Sequence, residues 1–225
     1  MYPIQLLAPL FLLFPSNRPS SIASLFVSVL TLLVCLSKTA TGSWQWVDKS
    51  YGFLFSVVDL TPNIGLFWYF LLEIFTHFRT FFCCVLQLNC FLYVAPLTIS
   101  FKRRPVLLFW LLVAYMTTLK PYPSAADLAL QFGLLPLFYP LIREFLVRFI
   151  VIAQVYLYTF VLMPIAWYAW LYQGSGNANF FYGTTLAIGG AQMWLIVEIL
   201  HLSLERQYRR KHLLVPFGPN PVKSL

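Results

Sequence analysis

An all-α, polytopic transmembrane helix bundle is the fold class this sequence predicts, and three observations carry it. Of 225 residues, 60% are hydrophobic and only 10% are charged, against about 25% charged in a soluble domain. The mean hydropathy is +0.76, and a soluble core of this size would not hide so much Phe, Leu and Trp. The apolar residues also fall into long runs, and about 20 consecutive apolar residues cross a bilayer core of about 30 Å. Finally, the 15 Lys and Arg residues stand mainly at the ends of those runs, where membrane topology places them. The net charge of +8 is therefore read as topology and contact with anionic headgroups, not as nucleic-acid binding.

In chain order, residues 4–14 form a short apolar segment interrupted by Pro9, and a turn carrying Arg18 follows. Residues 21–36 form a second segment, and a polar loop is expected over 39–50. Within Asp59-Leu-Thr-Pro-Asn63, Thr61 is the expected N-cap of a helix with Pro62 at its first position. Apart from Pro96 near its end, the chain from Asn63 to Ser100 is compatible with one helix, about 55 Å long at about 1.5 Å per residue. That exceeds one span, so residues 80–101 are expected to cross and the first half to lie at or just inside an interface or to pack within protein. Lys102-Arg103-Arg104-Pro105 ends that span. Two short runs follow, 106–119 and the proline-interrupted 125–141, joined by the rigid turn Lys120-Pro-Tyr-Pro123. Residues 149–172, with Pro164, and 180–204 read as full spans joined by an uncharged loop, 173–179. No soluble domain separates them. The whole chain, 1–225, reads as one membrane domain with a disordered cytoplasmic tail, 213–225.

Alternation of the spans sorts the loops. With Lys102–Arg104 in the cytoplasm, Arg143, Arg148 and the Arg206–His212 cluster fall on the same side, as positive-inside topology asks. Residues 51–79 and the 173–179 loop then lie together on the lumenal side.

The stretch from Tyr51 to Phe82 is unlike its surroundings, because it threads Asp59, Glu73, His77 and Arg79 through an aromatic-rich surface. Polar side chains held in a membrane segment against their insertion cost are candidates for function. On a continuous helix at 100° per residue, Tyr69, Glu73, Thr76, His77, Thr80 and Gln87 share one face, and Trp68, Phe75, Phe78 and Phe82 lie opposite. Glu73 and His77, four apart, are then expected to hydrogen-bond. This stripe either packs against neighbouring helices or lines a lumen-facing groove for an amphiphilic ligand. In the same way the Gly174–Tyr182 loop is a polar turn or, through Asn177 and Asn179, a headgroup contact.

Catalytic patterns are weak. His77, His201 and His212 are too scattered for a metal-dependent lipid desaturase, and Asp48 and Asp59 are unpaired. The cysteines, Cys35, Cys83, Cys84 and Cys90, lie in or beside apolar runs with no Cys/His spacing. No catalytic residue, metal site or cofactor is expected. Glu198, His201 and Glu205 near the basic end are read as salt-bridging groups.

Three motifs point to a family. The run from Asp59-Leu-Thr-Pro-Asn-Ile-Gly-Leu-Phe-Trp-Tyr-Phe70 through Glu73-Ile-Phe-Thr-His77 to Phe81-Phe82 strongly resembles the PIG-U subunit of glycosylphosphatidylinositol (GPI) transamidase. So do Lys120-Pro-Tyr-Pro-Ser-Ala-Ala-Asp127 and Gly174-Ser-Gly-Asn-Ala-Asn-Phe-Phe-Tyr182. The resemblance implies a non-catalytic subunit of the endoplasmic reticulum complex that attaches GPI anchors to proteins. A separate caspase-like subunit would hold the catalytic Cys/His pair, and the chain would help recognise or present the GPI lipid. It also implies a fold similar to the membrane part of mannosyltransferases that use dolichol-phosphate sugars. The residues expected to meet the lipid are Asn63, Trp68, Tyr69, Phe70, Glu73, Thr76, His77, Thr80, Asn177 and Asn179. Family members are about twice as long, so this chain is expected to correspond to their C-terminal half. Two other functions stand beside this one: a glycosyltransferase of the GPI pathway with its acidic residues upstream, and a lipid transporter, which inverted repeats would favour.

Overall fold

The structure, a computed structural model, describes residues 19–213. The expected first segment (4–14), Arg18 and the tail beyond Leu213 lie outside the described residues. Every regular element among the described residues is helical, in agreement with the predicted class. Three helices are long and apolar enough to cross a membrane, and a bent pair would make a fourth.

Helix α1 (Pro19–Thr41) opens on a proline, whose missing N–H is an orphan there in any case, and ends at Gly42. Gly42 adopts φ +68°, and its N–H closes on the Lys38 carbonyl at 2.9 Å. This is the glycine stop of a helix C-terminus. Helix α2 (Gln45–Ser56) departs at 110° from the preceding helix and contains a π-helical turn, Asp48–Gly52. The polar loop expected over 39–50 is thus mostly helical. Only residues 42–44 break it, because Gly42 alone supplies the left-handed turn.

A long irregular segment then runs to α3 (Phe67–Glu73). The helix start expected at Thr61-Pro62 does not form. Asp59 Oδ1 instead accepts the Thr61 N–H at 2.9 Å, and Asn63 Oδ1 accepts the Gly65 N–H at 2.7 Å. These two side chains close turns that compete with a helical nucleus. The predicted continuous helix also breaks, at Ile74-Phe75, where both residues are extended (ψ 146° and 138°). Helix α4 (Thr76–Leu92) restarts beyond it, and α5 (Val94–Phe101) continues after a step at Tyr93. Pro96 explains that step, since it has no N–H to return to the preceding turn.

Helix α6 (Pro105–Leu119) is the hub. Eleven of its 15 residues are buried, so it packs on protein around its circumference instead of facing lipid. The main core joins its Leu108, Trp110, Leu111 and Leu112 to Phe101, Phe145, Ile152, Leu195 and Ile199. A second cluster joins Tyr115 and Leu119 to Val57, Phe67, Leu71, Cys83 and Cys90. After the Lys120–Ser124 turn come α7 (Ala125–Leu134), short helical turns through Phe145, α8 (Leu146–Leu171) and α9 (Ala178–Leu213). The final helix takes in the basic cluster that was expected to follow a span ending at 204.

The loops gather at two ends of the bundle. Arg206 pairs with Glu144 and donates to the Pro140 carbonyl. Arg104 lies in the field of Arg206 and Arg210. At the far end Tyr122 reaches Asp59 and Tyr69 reaches Asn179. Glu198 and Glu205 are ion-paired to Arg148 and Arg209, each at 2.7 Å. Cys35, Cys83 and Cys84 form no disulfide, and the Cys90 thiol donates to the Leu119 carbonyl at 3.3 Å.

One polar pair is buried at the hub. Gln192 Nε2 donates to Gln131 Oε1 at 2.6 Å, and the Gln131 carbonyl accepts the Trp110 indole N–H at 2.9 Å. Gln131 is 0% exposed and Gln192 2%, so neither has water as a substitute partner. Gln192→Leu alone strands the Gln131 amide. It is expected to cost about 0.6–1.7 kcal/mol, read as a lower thermal midpoint in detergent. Replacing both glutamines by Leu should recover most of that loss, because no buried polar group is then left unpaired.

Candidate functional site

The end of the bundle opposite the basic loops is built from three segments: residues 57–77, the 120–127 turn and the 173–182 loop. The first is shaped by its two side-chain-closed turns and by Gly65, which is buried against the second. A Cβ at Gly65 would stand 2.8 Å from Pro123 Cδ and 3.1 Å from the Pro121 carbonyl oxygen. Only glycine admits that approach. Two tyrosines then tie the segment down. Tyr122 donates to the Asp59 carbonyl at 2.8 Å, and Tyr182 donates to the Leu66 carbonyl at 3.0 Å. Burial pushes the Tyr122 phenol above its usual value, so it remains a donor at neutral pH.

The second segment is fixed by charge. Lys120 Nζ meets Asp127 Oδ2 at 2.7 Å, with Lys120 buried. Asp127 also accepts the Ser124 N–H and hydroxyl, which completes a capping box at the start of α7. In the third segment, Asn177 Oδ1 accepts the Phe180 N–H at 3.2 Å and caps α9; an Asn in that place satisfies an orphan donor of the first turn.

The residues singled out from sequence distribute as follows. Tyr69 and Asn179, 110 positions apart, are brought together: the Tyr69 hydroxyl donates to the Asn179 side-chain carbonyl. Tyr69 also lies 4.6 Å from the Tyr182 ring. Desolvation, and then the Glu73 carboxylate one turn on, raise the Tyr69 pKa. Trp68 is 1% exposed, enclosed by Tyr69, Trp170, Phe181 and Tyr182. It supports the face from beneath. Asn63 spends its side chain on the turn, donating to the Thr61 carbonyl and accepting from Gly65. Phe70 is exposed and edges onto Phe82 at 5.5 Å.

Glu73, Thr76, His77 and Thr80 are exposed. The single stripe predicted for them does not exist, because the break at Ile74-Phe75 puts Glu73 on α3 and the other three on α4. Glu73 and His77 accordingly share no hydrogen bond. His77 stacks instead on Phe75 at 6.1 Å and lies tilted against Phe78 at 3.9 Å. Arg79 donates to the Leu71 carbonyl at 3.1 Å. Gln87 and Cys83 hold the end of α2 through the Leu54 and Phe55 carbonyls. Tyr122, Tyr182 and the Lys120–Asp127 pair were not singled out, although all three lie inside the quoted motifs. Tyrosines beside prolines or glycines would have been the clue, since a buried phenol needs a hydrogen-bond partner.

The face has little depth. The cavity behind it, between Leu66, Thr117, Pro123, Gly189 and Gln192, is about 10 Å³, which is about one water. Among the described residues no group of three His, Cys, Asp or Glu side chains converges on a metal position. The arrangement can present donors, acceptors and rings to an amphiphile at a surface.

The chain matches the family model for GPI transamidase subunit PIG-U over residues 1–188. It is 38% identical over 226 residues to the GPI-anchor transamidase component PIGU of Cricetulus griseus, with 94% of this chain and 52% of that protein covered. With the Homo sapiens component of the same name it shares 40% identity over 190 residues, covering 84% and 43%. With the GPI transamidase component GAB1 of Saccharomyces cerevisiae it shares 35% over 212 residues, covering 92% and 53%. The chain spans about half the length of the relatives it matches.

The packing of Gly65 gives a direct check on the face. Gly65→Ala must displace Pro123 or the Pro121 backbone, and overpacking of this kind costs about 1–3 kcal/mol. Gly133, in α7, has open space instead: a Cβ there meets nothing within 4 Å. Thermal unfolding in detergent should therefore show a lowered midpoint for Gly65→Ala and an unchanged or slightly raised one for Gly133→Ala.

Proposed function

This chain belongs to the PIG-U family, and from that membership we propose that it acts as an accessory, non-catalytic subunit of a GPI transamidase complex. In this reading it serves the attachment of GPI anchors to proteins, in the endoplasmic reticulum membrane. The end carrying Tyr69 and Asn179 faces the lumen, and the basic end faces the cytoplasm. The relatives' names, which describe components of a transamidase, support the assignment to a complex. A caspase-like partner subunit supplies the catalysis in this reading, and this chain supplies contact with the GPI lipid.

The observation that carries the recognition role is the Tyr69–Asn179 hydrogen bond. It joins two motifs far apart in sequence into one surface that holds exposed Glu73, Asn177 and Asn179 close to ring faces. A GPI lipid has a polar headgroup of amines, hydroxyls and phosphates. Carboxylate and amide groups around a shallow aromatic floor suit it better than a deep apolar pocket would. The floor is rigid because Trp68 and Tyr182 are fixed beneath it, so little ordering entropy is lost on contact.

The test uses cells lacking the family subunit, rescued with this chain fused to the N-terminal half of the human relative. Glu73→Ala with His77→Ala should lower surface display of GPI-anchored proteins several-fold, while the other subunits still co-purify. Normal display would remove these residues from lipid contact. Loss of co-purification would make them packing residues.

A further inference from the structure

At the basic end a different feature combines an apolar cleft with uncompensated charge. Helices α4–α5, α6 and α9 diverge beside the Tyr93 step and leave a cleft of about 290 Å³. Its walls include Tyr93, Leu97, Leu111, Met193, Val197 and Leu200. One polar group of the lining, the Tyr115 hydroxyl, is spent within the protein. The Tyr115 hydroxyl donates to the Asn89 carbonyl at 2.9 Å and lies 3.3 Å from Asn89 Oδ1. What remains is an apolar lining, open along one side where Tyr93 and Val197 are 48% and 56% exposed. The Pro96 step in the helix produces the cleft, so it is a consequence of local sequence.

The cleft runs toward the basic loops. Leu97 lies five residues before Lys102 and Leu200 six before Arg206, which is about 7.5 and 9 Å along helices. At that end the charges do not balance. Arg206 is matched by Glu144 and Arg209 by Glu205. Lys102, Arg103, Arg104, Arg210 and Lys211 have no carboxylate partner among the described residues. Arg104 is half-buried at the start of α6, in the field of Arg206 and Arg210. Guanidiniums in one another's field are stabilised by an anion that accepts from more than one of them.

We propose that the cleft and the basic collar at its end form one site for an anionic glycerophospholipid of the basic-side leaflet. An acyl chain lies between Tyr93-Leu97 and Val197-Leu200, and the headgroup phosphate meets Arg104 and Arg210. The two halves of the site match the two halves of such a lipid. A protein helix would fill the cleft but would leave the collar unneutralised unless it carried acidic residues at the right depth. This site is at the opposite end of the bundle from the proposed GPI face, so the two readings stand or fall separately.

Native mass spectrometry of the full-length fused chain tests the proposal, using nanodiscs of phosphatidylcholine and phosphatidylserine in equal amounts. The parent should retain phosphatidylserine in preference. Arg104→Gln with Arg210→Gln should reduce that preference by about fivefold for each charge removed. Arg104→Lys with Arg210→Lys keeps the charge and should keep the preference, which separates electrostatics from misfolding. Val197→Trp, which fills the cleft, should lower retention of both lipids. A photo-crosslinking benzophenone at position 197 should give lipid adducts. Equal retention of the two lipids by the parent, a Gln pair indistinguishable from the parent, or protein adducts in place of lipid adducts at 197 would each overturn the site.

Discussion

The structure depends on one constraint: backbone carbonyls released where a helix breaks inside a membrane must find donors within the protein. Water is absent from the hydrocarbon, and each unsatisfied group there costs several kcal/mol. This chain breaks its helices repeatedly, and a distant side chain meets a carbonyl at break after break. Tyr93 turns its N–H to Phe91, which frees the Asn89 carbonyl for Tyr115. Leu135 turns its N–H to Phe132, which frees the Gln131 carbonyl for Trp110. The extended Phe75 leaves the Leu71 carbonyl to Arg79. At the end of α2, Gln87 and Cys83 serve Leu54 and Phe55, and at the end of α6 Cys90 serves Leu119. These contacts join segments that hydrophobic packing alone would leave free to slide, since lipid tails are as apolar as the core.

The same constraint explains which parts of the fold were legible in the sequence. Spans, proline-marked breaks and the sorting of loops into two ends follow from apolar run length and charge placement, and both are local quantities. The break at Ile74-Phe75 carries neither glycine nor proline. There Leu71 is fully buried and Arg79 takes its carbonyl, a contact across the break that no helical wheel contains. The false helix start at Thr61-Pro62 is a similar case. Thr and Pro satisfy the general rule for an N-terminus, but Asp59 and Asn63 use their side chains on turns first. Gln87 and Cys83 read as stripe and filler residues, and they act as caps for a helix some thirty positions upstream. Within the candidate face, residue types were legible while partnerships were not: Tyr69 and Asn179 were both named, yet nothing in either segment encodes their contact.

The two ends use different physics. At the basic end most charges are solvent-exposed, and pairs such as Arg209–Glu205 contribute little individually. At the opposite end, polar groups are held by geometry. Tyr122, Tyr182, Asn63, Asn177 and Asp127 each spend their hydrogen-bonding capacity on backbone or on a buried ion pair. The first end suits a diffuse, salt-sensitive attraction to headgroups, and the second suits a fixed surface that discriminates by placement.

The fixed surface begins at Val57, the one described residue other than glycine with positive φ (46°). A β-branched side chain in the left-handed region is strained by about 1–3 kcal/mol, and glycine would remove that strain. Yet Val57 is 3% exposed within the second core cluster, and burying a valine side chain recovers about 1.5–3 kcal/mol. The two magnitudes are comparable, so valine is tolerated only because the cluster grips it. The reversal of chain direction at Val57 brings Asp59 under the Tyr122 hydroxyl. Gly65 then fixes the other end of the segment against the Pro121–Pro123 turn. A segment anchored by burial at one end and by steric exclusion at the other has few conformations to lose. That is the condition under which a shallow surface, with a cavity of only about 10 Å³ behind it, can still bind selectively: the cost of ordering it has been met in folding.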